Sequence, residues 1–193
     1  GSLAPLPDGR TAIRWAPEAF GPLDDGAGCS KLSLIAADGS VTELPLDAAA
    51  PELPWARAPL AADLRPCAPS FKPAVFVAVN GGIAAVPVYR LDESGACAGP
   101  WQPQAGEVQA GCRGGAPAGV TLFCSKPGDL VALAASPNGR RLYAVADRFG
   151  TRMLLELEVD RDFARSMQTL RLISETLLGK QEFVPTSRIP EPT

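Results

Sequence analysis

The chain has no histidine among its 193 residues, and that absence removes several chemistries at once. Ser-His-Asp and Cys-His nucleophilic constellations cannot be assembled within it, and neither can a His-ligated catalytic metal. Methionine occurs only 2 times, and aromatic residues make up 6% of the chain. No apolar run reaches the ~18 residues that a membrane-spanning helix needs. There is no CxxC pair for a structural zinc site. GxGxxG, Walker A and GxSxG stretches are also missing, and Gly81-Gly82 and Gly114-Gly115 read as turn glycines. The net charge of -3 is near neutral. The densest bases, Arg140-Arg141 and Arg161 to Arg171, are interleaved with acids, which argues against a nucleic-acid surface.

What is present points to short strands. The 20 prolines and 19 glycines sit mostly in the first two thirds, where they break long helices and force turns. With 46% hydrophobic residues the chain can still build a core. Three apolar segments, Leu130 to Ala135, Leu142 to Ala146 and Met153 to Val159, are separated by Pro137-Asn138-Gly139 and by Asp147-Arg148-Phe149-Gly150. Asn-Gly supplies the positive φ angles of a tight reversal, so this region predicts an antiparallel three-strand meander. Lys31 to Ile35 and Val41 to Leu46, joined through Asp38-Gly39, predict a hairpin with Leu32 and Leu34 on one face. Thr11 to Trp15, Ala74 to Val79, Ile83 to Leu91 and Val120 to Cys124 read as further strands, with Pro87 hinting at an edge or a bulge. Residues 47–73 read as an ordered Pro/Ala strap, and Asp92 to Gly119 as mostly loop.

Near the end the period changes. Phe163, Met167, Leu170, Ile173 and Leu177 recur at steps of about three to four, which predicts an amphipathic helix over Asp162 to Leu178. Asp160 or Asp162 would cap its start and Gly179 would end it. The expected fold is therefore mostly β, with antiparallel meanders in a β-rich domain (propeller-like by the resemblance given below) and one C-terminal amphipathic helix. Residues 1–10 read as a tag scar and tether, 11–180 as a single β-rich domain and 181–193 as an extended tail. No signal peptide is visible, and Gly1-Ser2 reads as a scar that replaced the natural amino terminus.

Chemistry has few candidates. The cysteines Cys29, Cys67, Cys97, Cys112 and Cys124 are either five reduced thiols in a cytosolic protein or two disulfides with one odd thiol in an oxidising compartment. The second reading is preferred, because Cys97 and Cys112 bracket a Gly/Pro-rich segment short of core-forming residues. A loop of about 15 residues closed there would contribute about 3 kcal/mol. Lys126 near Cys124 and Arg113 beside Cys112 give only slight support for a reactive thiolate. Carboxylate groups at Asp24-Asp25, Asp92-Glu93 and Asp160 with Asp162 fit solvated or capping acids better than an acid–base pair, so no catalytic or metal-ligating residue is assigned. Calcium at Asp92-Glu93-Ser94-Gly95 or Asp24-Asp25-Gly26 is the one cofactor the residue types allow, though the spacing is not that of an EF-hand. Trp15, Trp55 and Trp101 are core candidates. Trp55 and Trp101, with Asp92 and Glu93, are also the candidate binding residues.

The stretch Leu133-Ala134-Ala135-Ser136-Pro137-Asn138-Gly139-Arg140-Arg141-Leu142-Tyr143-Ala144-Val145 resembles the repeat of bacterial β-propellers of the YVTN and lactonase-like kind. In those repeats a SPDG-basic-x-LYV turn joins an inner to a middle strand; Asn138 and Ala144 depart mildly from that pattern. Lys31 to Leu46 is similar to the outer hairpin of such a blade, and Ala74 to Leu91 to a degenerate third unit. Unit spacings of roughly 40 to 50 residues fit a blade period. The resemblance implies a small propeller or part of one. Two functions follow as expectations. The first is an extracytoplasmic interaction or assembly domain, periplasmic, secreted or at the cell surface, that binds a protein partner without catalysis. The second is a propeller-type hydrolase using carboxylates and calcium. A fragment of a larger surface protein is a third.

Overall fold

The computed structural model describes residues 2–15, 31–44, 60–63, 73–79, 82–94, 96–101, 108–111, 114–117, 121–124, 129–148, 150–162 and 167–180. All its regular structure is strand. β1 (Ser2–Pro5), β2 (Thr11–Trp15), β3 (Lys31–Ile35) and β4 (Val41–Leu44) form a first antiparallel sheet in chain order. β5 (Leu60–Ala62), β6 (Ala74–Val79) and β7 (Gly82–Pro87) belong to a second. An excursion follows through two small hairpins, β8 (Tyr89–Leu91) with β9 (Cys97–Pro100) and β10 (Val108–Gly111) with β11 (Gly114–Pro117). The chain then returns as β12 (Thr121–Cys124) to finish the second sheet beside β7. β13 (Asp129–Ala135), β14 (Arg141–Arg148), β15 (Thr151–Asp162) and β16 (Met167–Lys180) make the third, again in chain order.

The sheets stack face to face with the second in the middle. Leu60, Val75, Val77, Ala84 and Val86 meet Ala12, Leu32 and Leu34 of the first sheet in one core. From the opposite face of the second sheet, Ala61, Phe76, Ile83 and Ala85 meet Leu142, Ala144, Leu155, Leu157 and Val159 of the third in another. A sheet buried on both faces needs apolar residues at odd and even positions alike, which is why Ala74 to Val79 reads as an unbroken apolar run. β5 lies against both β1 and β13, and β12 meets β16. The first strands of the three sheets thus gather on one side of the stack.

Three turns share one recipe. In Leu6–Arg10, Ala36–Ser40 and Ser136–Arg141 the glycine N–H donates back to the first residue, at 3.1, 2.9 and 2.8 Å respectively. The Asp or Asn before the glycine accepts from the N–H two residues on: Asp8 from Arg10 at 3.0 Å, Asp38 from Ser40 at 2.9 Å and Asn138 from Arg140 at 3.0 Å. Gly9, Gly39 and Gly139 hold φ of 84, 83 and 63°, where a Cβ is disfavoured.

Several expectations change. Ser2–Pro5 is a strand and not a tether; its Ala4 and the following Leu6 are buried, and the Asp8-Gly9 turn folds it back on β2. β5 emerges from the predicted strap, most of which lies outside the described residues. β9, β10 and β11 occupy the span read as loop. The return strand breaks after Pro87, and β8 pairs with β9 and not with β6. The largest correction is the C-terminal helix: Met167–Lys180 is a strand. Leu157 pairs with Leu172 and Glu156 with Ser174, which leaves Ile173 as the extra residue of a bulge; Leu178 is extra in the same way between Leu177 and Gly179. The side chains facing the second sheet are therefore 170, 172, 175 and 177. A bulge inserts a step of three into a period of two and so imitates a helical stripe. Residues 163–166 and the predicted tail 181–193 lie outside the described residues.

Candidate interaction surface

The third sheet has two unlike faces. Its inward face is the apolar layer already described. On its outward face Arg141 bridges Glu156 at 3.2 Å and Glu158 at 3.1 Å. Arg171 closes on the other oxygen of Glu158, and Ser174 donates to Glu156 at 3.2 Å. The hydrogen bond from Arg171, then that from Arg141, holds the Glu158 carboxyl below its ordinary value. Arg148 and Glu175 pair at 3.3 Å on the other side of the sheet.

At β16, the outermost strand, apolar side chains reach water, Leu172 and Leu177 on the inward-facing side and Ile173 and Leu178 at the bulges. Leu172, Ile173, Leu177 and Leu178 are exposed by 37, 45, 58 and 54%. Val131, also exposed, is the extra residue of a bulge in β13 between Leu130 and Ala132. A bulged residue leaves the pleat and loses its cross-strand neighbour, so its side chain is free to point away from the core. Three of the exposed large hydrophobic residues thus share one structural cause.

Among the described residues, those singled out from the sequence do not converge. Trp101 is only 8% exposed and packs in the core between the first and second sheets, so it is no surface anchor; a wide ring in a chain this poor in aromatics was needed as filling. Trp55 lies outside the described residues, as do Asp24, Asp25, Cys29, Cys67 and Cys112. Asp92 organises the turn between β8 and β9: its Oδ1 accepts from Ser94 N–H at 2.9 Å, Ser94 Oγ at 2.6 Å and Ala96 N–H at 3.0 Å. Glu93 is exposed at the tip of that turn. Asp160 and Asp162 sit on β15 and cap no helix. Among the described residues no three His, Cys, Asp or Glu groups cluster as a metal site. Cys97 and Cys124 are each disulfide-bonded.

Two arginines, one buried between the first and second sheets and one in the β1–β2 turn, escaped the sequence reading. Arg14, 3% exposed, reaches from β2 to donate through Nη1 to the Ala78 carbonyl of the second sheet at 2.5 Å; burial pushes its guanidinium down to about 10. Arg10 stacks its guanidinium 4.4 Å from the Tyr89 ring centre and pairs with Asp8 at 2.7 Å. The signal for Arg10 was legible: Pro7-Asp8-Gly9-Arg10 repeats as Pro137-Asn138-Gly139-Arg140, and in both places the turn joins the first two strands of a sheet. Nothing in the sequence marked Arg14. No helix among the described residues is long and apolar enough to cross a membrane. No protein-family model matches the chain, and no curated protein is significantly similar to it.

Proposed function

We propose that this chain is an extracytoplasmic protein-binding domain built as consecutive propeller-like blades, and that the apolar rim along β16 receives its partner. The exposed Leu172, Ile173, Leu177 and Leu178 on one outermost strand are the observation that carries the reading. Such side chains in water favour burial against another surface. The blade reading is supported by three four-stranded sheets stacked face to face, two of them strictly in chain order, with first strands gathered on one side. The recurring Pro-Asp/Asn-Gly-Arg turn supports it as well. Recognition runs through side chains and not through strand addition, because the two bulges interrupt the hydrogen-bonding edge of β16. The bonded Cys97 and Cys124 suit an oxidising compartment.

The test places a photo-crosslinking amino acid at Ile173 and, as a control, at Pro137, with exposure to an envelope extract of the source cell. A single protein joined at Ile173 and absent at Pro137 is the expected result. Equal labelling at the two sites overturns the assignment of the rim. Alkylation of the non-reduced protein that modifies Cys97 and Cys124 overturns the compartment.

A further inference from the structure

We infer that the partner protein enters as an extended segment that adds to the second sheet along the open edge of β12, with alternate side chains seated on the inward row of β16. The inference rests on reading the β16 rim as the partner's seat, and it names the conformation of what sits there. An edge strand offers a row of main-chain N–H and C=O groups, and another strand is the one guest that satisfies the row as a whole.

The edges of the three sheets differ in how they are guarded. β1 ends in Pro5, and β4 carries Glu43. Bulges interrupt β13 and β16. β5 has 3 residues and is held between β1 and β13. Proline, charge, bulges and cover are the means by which sheets close their edges to other chains. β12 has no proline, no charged residue and no shift of register against β7. Its 4 residues are few, but Cys124 at its end is disulfide-bonded, which holds the strand in place. No described strand lies beyond it in the sheet. Thr121 to Phe123 make no main-chain hydrogen bond to a described residue outside the ladder with β7.

Room for the added strand shows on β16. β12 packs on β16, but with 4 residues against 14 it cannot cover the longer strand. Leu172, Glu175 and Leu177 point toward the second sheet, since they pair with Leu157, Leu155 and Met153 of the inward layer. Leu172 and Leu177 nevertheless stay exposed. Side chains aimed at a neighbouring sheet and left in water mark where that sheet is incomplete. Glu175 between them, held by Arg148 at 3.3 Å, puts a polar step in the row. Three successive places on such a row span about 13 Å, the length of four residues of strand. A guest that matches them presents an apolar, a polar and an apolar side chain at every second residue, while its main chain pairs with β12 over the same distance. β16 itself, barred from strand addition by its bulges, contributes side chains alone.

The probe is a displayed library of random linear peptides of strand length, about five to six residues, selected against the immobilised full chain. Enriched sequences are expected to carry apolar residues at i and i+4 with a polar residue at i+2. The leading sequence is then synthesised and titrated. N-methylation of its alternate main-chain nitrogens is expected to weaken binding at least tenfold at one parity and to leave the other unchanged, as a strand bonded along one edge requires. Leu172→Asp and Leu177→Asp, both at exposed positions, are each expected to weaken it at least tenfold, with circular dichroism confirming that the strands persist. Failure to enrich any sequence, or binding indifferent to the parity of N-methylation, overturns strand addition on β12. If binding indifferent to parity still falls with Leu172→Asp, the β16 rim remains the seat and only the guest's conformation is wrong. If neither leucine variant matters and Ile173 crosslinks nothing, the rim is wrong as well.

Discussion

At the scale of single residues, the turn glycines and the charged cluster make separate forecasts. Gly39 has φ of 83°, and nothing lies within 4 Å of the point a Cβ would occupy, so a side chain there meets backbone strain and no clash. Gly39→Ala is expected to cost about 1–2 kcal/mol in urea unfolding, and Gly39→Asn clearly less, since Asn tolerates the left-handed region. Glu158 works through charge. Its carboxyl titrates below the ordinary 4.5 because Arg171 first and Arg141 second bind the anion. The unfolded chain therefore takes up that proton at higher pH than the folded one. The stabilisation is present above the ordinary value and is lost as pH falls through the depressed one. Glu158→Gln is expected to flatten the fall of Tm with acid below about pH 4.5 and to make Tm less sensitive to salt, because the cluster is partly solvated.

At the scale of elements, β16 supplies the sharpest test. An edge strand pairs on one side only, so in amide exchange Met167–Lys180 should show protection on roughly alternate residues, interrupted at Ile173 and Leu178. Continuous protection would mean a helix. The same element shows where the sequence could and could not be read. Asp38-Gly39 and Asn138-Gly139 announced their hairpins because the chemistry of those reversals is local and nearly obligatory. β1 was hidden because a four-residue strand ending in Pro5, with Pro7 just beyond, looks like tether, and only the repeat of the Asp8-Gly9-Arg10 turn betrayed it. β16 was misread because bulge positions are fixed by pairing with β15, a relation between distant residues that a hydrophobic period cannot carry. The apolar rim was invisible for that same reason: Ile173 looked like part of a buried stripe and is in fact the residue the bulge expels.

At the scale of the whole molecule, the second sheet ties the others together. Phe76 is fully buried against the third sheet, and Phe76→Ala is expected to cost about 3–5 kcal/mol. Because both cores lie on the same sheet, that loss should appear as one earlier transition, with fluorescence of the tryptophans and far-ultraviolet ellipticity changing together. Two separate transitions would show that the first sheet stands without the third. One consequence concerns the order in which the chain is made. The second sheet has an apolar layer on each side, and its last strand β12 follows a long excursion. During synthesis it can hide one layer against the first sheet, already emerged. The layer around Phe76 and Ile83 must wait for β13 to β15. Until then the nascent chain displays a sticky, half-finished plane, so ribosome pausing or truncation in this interval would send the product to chaperones or into aggregates, while the finished molecule carries no trace of that exposure.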